Sequence, residues 1–253
     1  MAYLELHGLE VSFDGFKAVN GLDLAVERGE LRCLLGANGA GKSTTMDLIC
    51  GRTQPTGGRI LLDGHDITHE PEYRRARPAV GGGVGRKFQV PSVFKELTVR
   101  ENLEIARSRH PGPWRTLRVF PSRRPDPRVA EVVELVELAD RLDTQAAHLS
   151  HGQTQWLEIA MLLVQDSALI LMDEPTAGMT VQETGKTAAI FQRLRGRHTL
   201  IVVEHDMGFV REIAGTITVL HQGRRLSEGS IREVENDPRV REAYLGSGGI
   251  SHA

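Results

Sequence analysis

Runs of apolar residues along the chain have the lengths and spacings of alternating strands and helices. Leu31–Leu35 is one short apolar run, and residues 168–172 and 200–203 form two more, each followed at once by acidic residues. Such short continuous runs predict buried strands. Lys42–Cys50, stopped by a glycine, predicts a helix. This alternation indicates an α/β fold in which a largely parallel sheet is covered by helices.

The N-terminal part and the middle of the chain depart from this alternation. Residues 3–11 and 18–26 alternate in polarity, which predicts an N-terminal antiparallel β subdomain. In residues 98–106 and 129–142 the apolar spacing is helical, and the prolines between them predict a loop. We therefore expect a helical subdomain, at about residues 90–155, inserted into the sheet-centred core.

Composition narrows the class of protein without identifying it. The chain has 253 residues, 40% of them hydrophobic and 25% charged, with a formal net charge of −2. This length suits one domain over residues 1–253, and the charge gives no general attraction to nucleic acid. No apolar run approaches the ~18 residues of a membrane-spanning helix, and residues 1–10 lack a secretory signal. Cys33 and Cys50 lie among apolar residues, so we expect buried thiols.

Residues 36–43, Gly-Ala-Asn-Gly-Ala-Gly-Lys-Ser, fit the phosphate-loop pattern at every required position. Glycines let successive backbone N–H groups face phosphate oxygens, and the following helix adds the positive end of its dipole. Lys42 is suited to the outer phosphates and Ser43 to magnesium. A simple Gly-rich turn is the structural alternative, but it does not explain the preceding buried strand. The residues expected to bind nucleotide here are Gly36, Asn38, Gly39, Ala40, Gly41, Lys42, Ser43 and Thr44.

Two acids follow the apolar run at 169–172. Asp173 and Glu174 would stand at the carboxyl end of a buried strand, where α/β sheets bind ligands. We expect Asp173 to hold the water shell of magnesium and Glu174 to polarise the attacking water as a general base. Apolar strands also end in acids for purely structural reasons, so this signal depends on the phosphate loop that precedes it.

A third motif, Ser150 to Gln153, stands directly before an apolar helix. The serine and the glutamine form a capping box, which needs no ligand. The same helix start, with a hydroxyl and Gly152, is also suited to an anion. Because the chain already has one phosphate site, a second one suggests a nucleotide donated by another subunit.

These motifs, in this order, resemble those of the ATP-binding-cassette ATPases, and the resemblance covers essentially the whole chain. It implies a RecA-like P-loop core with an N-terminal antiparallel β subdomain and an inserted helical subdomain. It also implies two such domains facing head to tail, with ATP between the phosphate loop of one and the signature motif of the other. The signature residues here are Ser150, His151, Gly152 and Gln153. His151 replaces a glycine of the common motif, and Thr180 stands where many relatives have Asp.

The resemblance also implies roles for isolated residues. Gln89 matches the glutamine that reaches magnesium and the membrane partner, and His205 matches the histidine that senses the γ-phosphate. Phe13 matches the aromatic that stacks on adenine, with Phe16 as its competitor; the preference for ATP comes from the family, since stacking discriminates bases weakly. Taken alone, each of these residues has an ordinary structural explanation. The implied magnesium contacts are Ser43, Gln89 and Asp173, the last through water.

Four segments, 85–91, 149–158, 177–180 and 204–207, resemble the branched-chain amino-acid importer group, and within it the ATPase subunit of urea importers. The implied function is ATP hydrolysis that energises import of urea or short amides. Import of branched-chain amino acids and a non-transport cassette ATPase are the alternatives. The implied partners are two membrane permeases, a second ATPase subunit (or a second copy of this chain) and, indirectly, a periplasmic binding protein, with no nucleic acid. The implied location is the cytoplasmic face of the membrane.

Residues 107–128 carry seven Arg against one acid, Asp126. A solvated loop is the ordinary explanation. A patch that faces anionic lipid headgroups or an acidic loop of a membrane subunit is the competing one, and contact with nucleic acid is the remaining alternative.

Overall fold

A computed structural model describes residues 2–77, 82–87, 92–107 and 127–245 of the chain. The strands in this part are β1 (Leu4–Phe13), β2 (Phe16–Val26), β3 (Leu31–Leu35), β4 (Gly57–Leu62), β5 (His65–Asp66), β6 (Val84–Lys87), β7 (Leu169–Asp173), β8 (Thr199–Val203), β9 (Thr216–His221) and β10 (Arg224–Gly229). The helices are α1 (Lys42–Cys50), α2 (Glu72–Arg75), α3 (Val99–Arg107), α4 (Pro127–Leu135), α5 (His151–Val164), α6 (Val181–Leu194), α7 (Met207–Ile213), α8 (Ile231–Asn236) and α9 (Pro238–Leu245).

The N-terminal sheet is antiparallel, as its alternating sequence predicts. Its strand order in the described residues is β2-β1-β4-β5. Along β1, Leu4, Leu6 and Leu9 are buried, and they share a hydrophobic core with Met46 and Ile49 of α1. This sheet therefore supports the helix that follows the phosphate loop.

The second sheet carries the strands predicted from the continuous apolar runs. Its order in the described residues is β10-β9-β3-β8-β7-β6, with parallel pairing except between β9 and β10. Every residue of β3, β7 and β8 is buried, which explains why their sequences are apolar throughout. Because these strands are parallel and adjacent, their carboxyl ends meet at one edge of the sheet.

The described chain between β6 and β7 is helical, through α3, α4 and α5, with 3₁₀ turns at Ala139–Arg141 and Ala146–His148. The predicted helix at 129–142 is too long: α4 ends at Leu135, and Glu137 then takes a left-handed φ of 56° that breaks it. Pro127, expected in a loop, instead begins α4, where its missing N–H costs no hydrogen bond. The limits of a separate helical subdomain at about 90 and 155 stay a prediction.

Both cysteines are free and buried, as predicted. Burial raises the pKa of the Cys33 thiol to about 12. Among the described residues, no helix is both long enough and apolar enough to cross a membrane.

Candidate functional site

The phosphate loop connects the end of β3 to the start of α1 and depends on two tightly packed glycines. A Cβ at Gly36 would lie 2.4 Å from the carbonyl oxygen of Leu220, and one at Gly41 would lie 2.6 Å from that of Ala18. Gly41 is also the N-cap of α1, with a left-handed φ of 100° and no side chain capping the helix. The backbone N–H groups of the first turn are therefore not taken by a capping side chain, which suits an anion.

The remaining predicted residues of the loop line this helix start. Asn38, Gly39 and Ser43 are exposed, Thr44 is half-buried, and Ala40 is buried against the sheet. The backbone of Ala40 accepts a hydrogen bond from the Gly223 N–H at 3.0 Å. The loop is thus anchored at its middle and open along its outer side.

Lys42 bends back over the loop. Its Nζ donates to the carbonyl oxygens of Gly36 at 2.7 Å and Ala37 at 3.1 Å. Burial lowers the pKa of this ammonium group, while the charges of Asp173 and Glu174 raise it. The structure therefore brings Lys42 close to the carboxylates at the end of β7, as the motifs predict.

Asp173, the last residue of β7, lies close enough to Ser43 for that hydroxyl to lower the pKa of its carboxyl group. Burial raises the pKa of this carboxyl group, and the Ser43 hydroxyl and the Arg86 charge oppose that shift. A neighbouring hydroxyl and carboxylate are oxygen donors of the kind that Mg²⁺ accepts, alongside water and phosphate oxygens. The described residues contain no group of three or more His, Cys, Asp or Glu that could hold a metal without such help. The two residues fit magnesium bound together with a phosphate.

Glu174 and His205 are brought together from different strands. Glu174 Oε1 lies 3.5 Å from His205 Nδ1, and the His205 side chain is 71% exposed. Glu174 has a left-handed φ of 46°, uncommon for a residue with a side chain, and its N–H donates to the Val203 carbonyl at 2.9 Å. The carboxylate lies near enough to Lys42 of the phosphate loop for its charge to raise the pKa of that ammonium group. A carboxylate so placed can accept a proton from water, and the adjacent imidazole can donate to an oxygen.

Sequence reasoning missed Glu204, which organises this corner from within. It is buried and accepts from the Thr176 hydroxyl at 2.7 Å, the Thr176 N–H at 3.2 Å and the His205 N–H at 3.2 Å. It therefore ties the turn after β7 to the turn after β8. Its position at the end of an apolar strand was the only signal in the sequence.

The predicted capping box at the start of α5 is confirmed: Ser150 caps the helix, and Gln153 bonds back to its backbone. A second carboxylate contacts the same helix start. Glu183 of α6 accepts from the Ser150 hydroxyl at 3.1 Å, and a Cβ on Gly152 would lie only 2.4 Å from its Oε1. Its other oxygen accepts from the Thr180 N–H and hydroxyl, both at 3.0 Å. An anion thus already bonds the group of residues that the signature motif would use.

His151, which departs from the common motif, contacts the turn after β7. Its Nε2 lies 2.9 Å from the Ala177 carbonyl oxygen and within 3.2 Å of the Cβ position of Gly178. Thr180, the other departure, is the N-cap of α6 in a second capping box. Both substitutions therefore have structural partners in the chain itself.

The predicted adenine contact falls at the hairpin between β1 and β2. Phe13 and its competitor Phe16 face each other at the β1–β2 hairpin, 48% and 67% exposed, and neither is ruled out by its position. Gln89 lies outside the described residues, as do most of the seven arginines in 107–128.

Arg86, on β6, is a further residue that sequence reasoning missed. Its guanidinium donates to Asp47 Oδ1 at 2.5 Å and lies 3.8 Å from Asp173 Oδ2. A charged side chain in a short strand, 6% exposed, needs such partners. The sequence gives no sign of which strand or helix supplies them.

The fold and this edge of the sheet define a P-loop nucleotide-binding protein, with its phosphate loop after β3 and two carboxylates at the end of β7. Comparison with known proteins narrows the class. A family model described as "ABC transporter" matches residues 19–177, and one described as "Branched-chain amino acid ATP-binding cassette transporter" matches residues 224–250. The chain is 38% identical over 255 residues to the high-affinity branched-chain amino acid transport ATP-binding protein BraF of Pseudomonas aeruginosa, covering 96% of this chain and 97% of BraF.

Two further relatives agree with this. The corresponding LivG protein of Escherichia coli is 36% identical over 252 residues, covering 96% of this chain and 97% of LivG. The solved structure of MJ1267, an ATP-binding cassette of an ABC transporter, superimposes with a TM-score of 0.81 at 29% identity, covering 96% of this chain and 99% of that one.

This chain belongs to the ABC transporter family. It has the ABC ATPase cassette fold, and it is an ATP-binding subunit that hydrolyses ATP to power transport. Subunits of this kind dimerise and partner with membrane permease components.

Proposed function

We propose that this chain energises an importer of branched-chain amino acids from the cytoplasmic face of the membrane. The match of residues 224–250 to the branched-chain amino acid transporter model supports this most directly, because it lies outside the general nucleotide motifs. BraF and LivG, both named for branched-chain amino acid transport, agree with it. Urea, predicted from four short segments, gains no support from these relatives and becomes the second candidate.

In the proposed mechanism the phosphate loop binds ATP through the backbone N–H groups at the start of α1. Lys42 leaves the loop carbonyls and neutralises the outer phosphates. Ser43 and, through water, Asp173 would contribute oxygen contacts to magnesium, which would offset phosphate charge when bound, and Gln89 is expected to add a third contact. Phe13 is expected to stack on adenine.

Glu174 takes a proton from the attacking water, and His205 donates to the γ-phosphate. The 3.5 Å contact between these two side chains supports a shared task at one phosphate. The signature residues Ser150 to Gln153 serve a nucleotide bound by the facing subunit. That subunit is expected to be a second, different ATPase chain, with a second copy of this chain as the alternative.

A substitution of the general base tests the chemistry. Glu174→Gln keeps the side-chain volume and should leave ATP binding nearly intact while lowering turnover by about 10²–10⁴-fold. Lys42→Ala, as the contrasting variant, should weaken nucleotide binding itself. Phosphate release and equilibrium ATP binding measured on both variants separate the two roles. Wild-type turnover in Glu174→Gln would remove Glu174 from the mechanism.

The transported solute needs its own experiment, because no residue of this chain is proposed to touch it. The tagged chain would be purified with its membrane partners and a periplasmic binding protein and reconstituted in vesicles loaded with ATP. Uptake of radiolabelled leucine in preference to urea is expected. Uptake of urea alone would reverse the choice between the two candidates.

A further inference from the structure

Arg86 lies between the two parts of the chain proposed to hold magnesium. Strand β6 pairs with β7, so Arg86 stands beside Leu171, two residues before Asp173. From there its guanidinium reaches Asp47 of α1 at 2.5 Å, while its second terminal nitrogen lies 3.8 Å from Asp173. One side chain thus contacts both the helix that follows the phosphate loop and the strand that carries the magnesium carboxylate.

The charges around Arg86 indicate that its side chain is held in one position by its ion pairs. Asp173 and Arg86 are 8% and 6% exposed, so solvent screens their attraction little. Asp47 approaches at charge-assisted hydrogen-bond distance, and the Cys50 sulfur lies 3.5 Å from the same nitrogen. A guanidinium is planar, permanently charged and able to donate in two directions at once.

The proposed magnesium contacts come from α1 and β7, the two elements that Arg86 joins. Ser43 is the second residue of α1, and Asp173 ends β7. Magnesium demands near-ideal octahedral geometry at about 2.0–2.1 Å, so a small change in the spacing of α1 and β7 moves its oxygens out of position. Residues that orient the ligands of a metal without touching the metal typically lower its affinity by about 10–100-fold when they are removed.

We propose that Arg86 is a positioning residue for magnesium: bonded to Asp47 and beside Asp173, it sets the separation of the Ser43 hydroxyl and the Asp173 carboxylate. This inference rests on the proposed role of those two oxygens in holding the metal that accompanies ATP. In this proposal Arg86 acts on the metal site only through Asp47 and Asp173.

The alternative is that Arg86 only stabilises the fold, and the chain offers a matched control for it. Arg32 is equally buried, at 6% exposure, and it also bridges two carboxylates, Glu30 at 2.7 Å and Glu228 at 2.5 Å. It joins β3 to β10 and contacts none of the residues proposed to bind magnesium. Either substitution therefore removes a buried arginine that pairs with two carboxylates. Of the two arginines, only Arg86 lies beside Asp173.

The test uses Mn²⁺ as a paramagnetic probe of the magnesium site, with ATP present. Free and bound Mn²⁺ are measured by electron paramagnetic resonance for Arg86→Met, Arg86→Lys and Arg32→Met, each in the Glu174→Gln background to prevent turnover. ATP binding in EDTA and circular dichroism are recorded in parallel. Arg86→Lys is informative because one ammonium group cannot span the two carboxylates.

Both Arg86 variants are expected to bind Mn²⁺ at least ~10-fold more weakly, with ATP binding in EDTA and helix content preserved, while Arg32→Met keeps its Mn²⁺ affinity. Undiminished Mn²⁺ affinity in the Arg86 variants overturns the inference and leaves the proposed function standing. Absence of ATP-dependent Mn²⁺ binding in the parent protein overturns the proposed magnesium site and this inference with it. If Arg86→Met fails to fold, the same Mn²⁺ measurement on Asp47→Asn, which removes the ion-pair partner of Arg86 on α1, tests the inference.

Discussion

Lys87 and Glu158 form a buried ion pair between the sheet and the helix that begins with the signature motif. Lys87 Nζ lies 3.6 Å from Glu158 Oε2, and the side chains are 0% and 6% exposed. Glu158 Oε1 also accepts from the Ser92 N–H at 2.5 Å. Burial lowers the pKa of Lys87 and raises that of Glu158, in each case as the largest cause. Both pKa shifts indicate that the loss of hydration destabilises each charged group more than the charge of its partner stabilises it.

Removal of one partner should therefore be far more damaging than removal of both. Lys87→Met leaves the Glu158 carboxylate buried without its countercharge, at a cost of about 3–5 kcal/mol. For a chain of this length each kcal/mol lowers the melting temperature by about 2–4 °C, so the midpoint should fall by about 6–20 °C. Glu158→Gln should cost a similar amount. The double variant keeps an acceptor for Ser92 and leaves neither member of the pair charged, so it should recover at least half of the loss.

Circular dichroism at pH 7 measures the midpoint of thermal unfolding of the parent protein, the two single variants and the double variant. Because the folded-state pKa of Glu158 is raised, its protonated form is favoured by folding, and the carboxylate's destabilising effect appears as the pH rises through that pKa. The deficit of Lys87→Met should accordingly shrink as the pH falls from 7 toward 5. Lys17→Met is the control: its pair with Glu10 is closer, at 3.1 Å, but exposed, and should contribute under ~1 kcal/mol. Equal effects of the two Lys→Met changes would refute the argument from burial.

Two further predictions concern the buried Arg75 and the carboxylate beside the signature helix. Arg75, fully buried, donates to four backbone carbonyls, two of them at the end of α1, so Arg75→Met should cost at least ~3 kcal/mol in thermal unfolding, and a loss below ~1 kcal/mol would contradict this account. Glu183→Gln removes the negative charge that the phosphate of a partner's nucleotide would meet at the signature helix. Repulsion between two charges screened by water is worth ~1 kcal/mol. In the Glu174→Gln background the substitution should therefore strengthen ATP-dependent dimerisation about threefold to fivefold. Sedimentation velocity measures the dimer, Glu233→Gln in the matching capping box of α8 is the control, and a weaker dimer would show that Glu183 supports the interface instead.

The parts of the site that could be predicted from sequence are those written in continuous segments. The phosphate loop, the acids after β7 and the capping box of α5 each occupy a few neighbouring residues whose backbone geometry follows from their own glycines and caps. The buried strands could be predicted because a strand covered on both faces must be apolar throughout. β9 and β10 were missed because their sequences mix polar and apolar residues, and β9 pairs with β3, far away in the chain.

Contacts between distant segments could not be predicted, because they depend on which elements become neighbours. Arg86 meets Asp47 across 39 residues, and Ser150 meets Glu183 across 33. Neither pair has a spacing rule, since strand order and helix packing decide both. The sequence held one usable signal, the Thr180-to-Glu183 capping box at the start of α6. It predicts a local bond for Glu183 but not the second one to the signature helix.

Hydrogen bonds within the chain bear on how the site binds its ligand. The polar groups proposed to face phosphate bond to the chain itself: Lys42 to the carbonyls of its own loop, and Ser150 to Glu183. Binding therefore exchanges one set of charged hydrogen bonds for another, so its net free energy is a difference between similar terms. The exchange favours phosphate most where several donors converge on one anion. That condition is met at the start of α1 within one chain, whereas at the start of α5 Glu183 already supplies the anion. A facing nucleotide must compete with that carboxylate, which makes closure of the proposed dimer more sensitive to charge at α5 than nucleotide binding at α1.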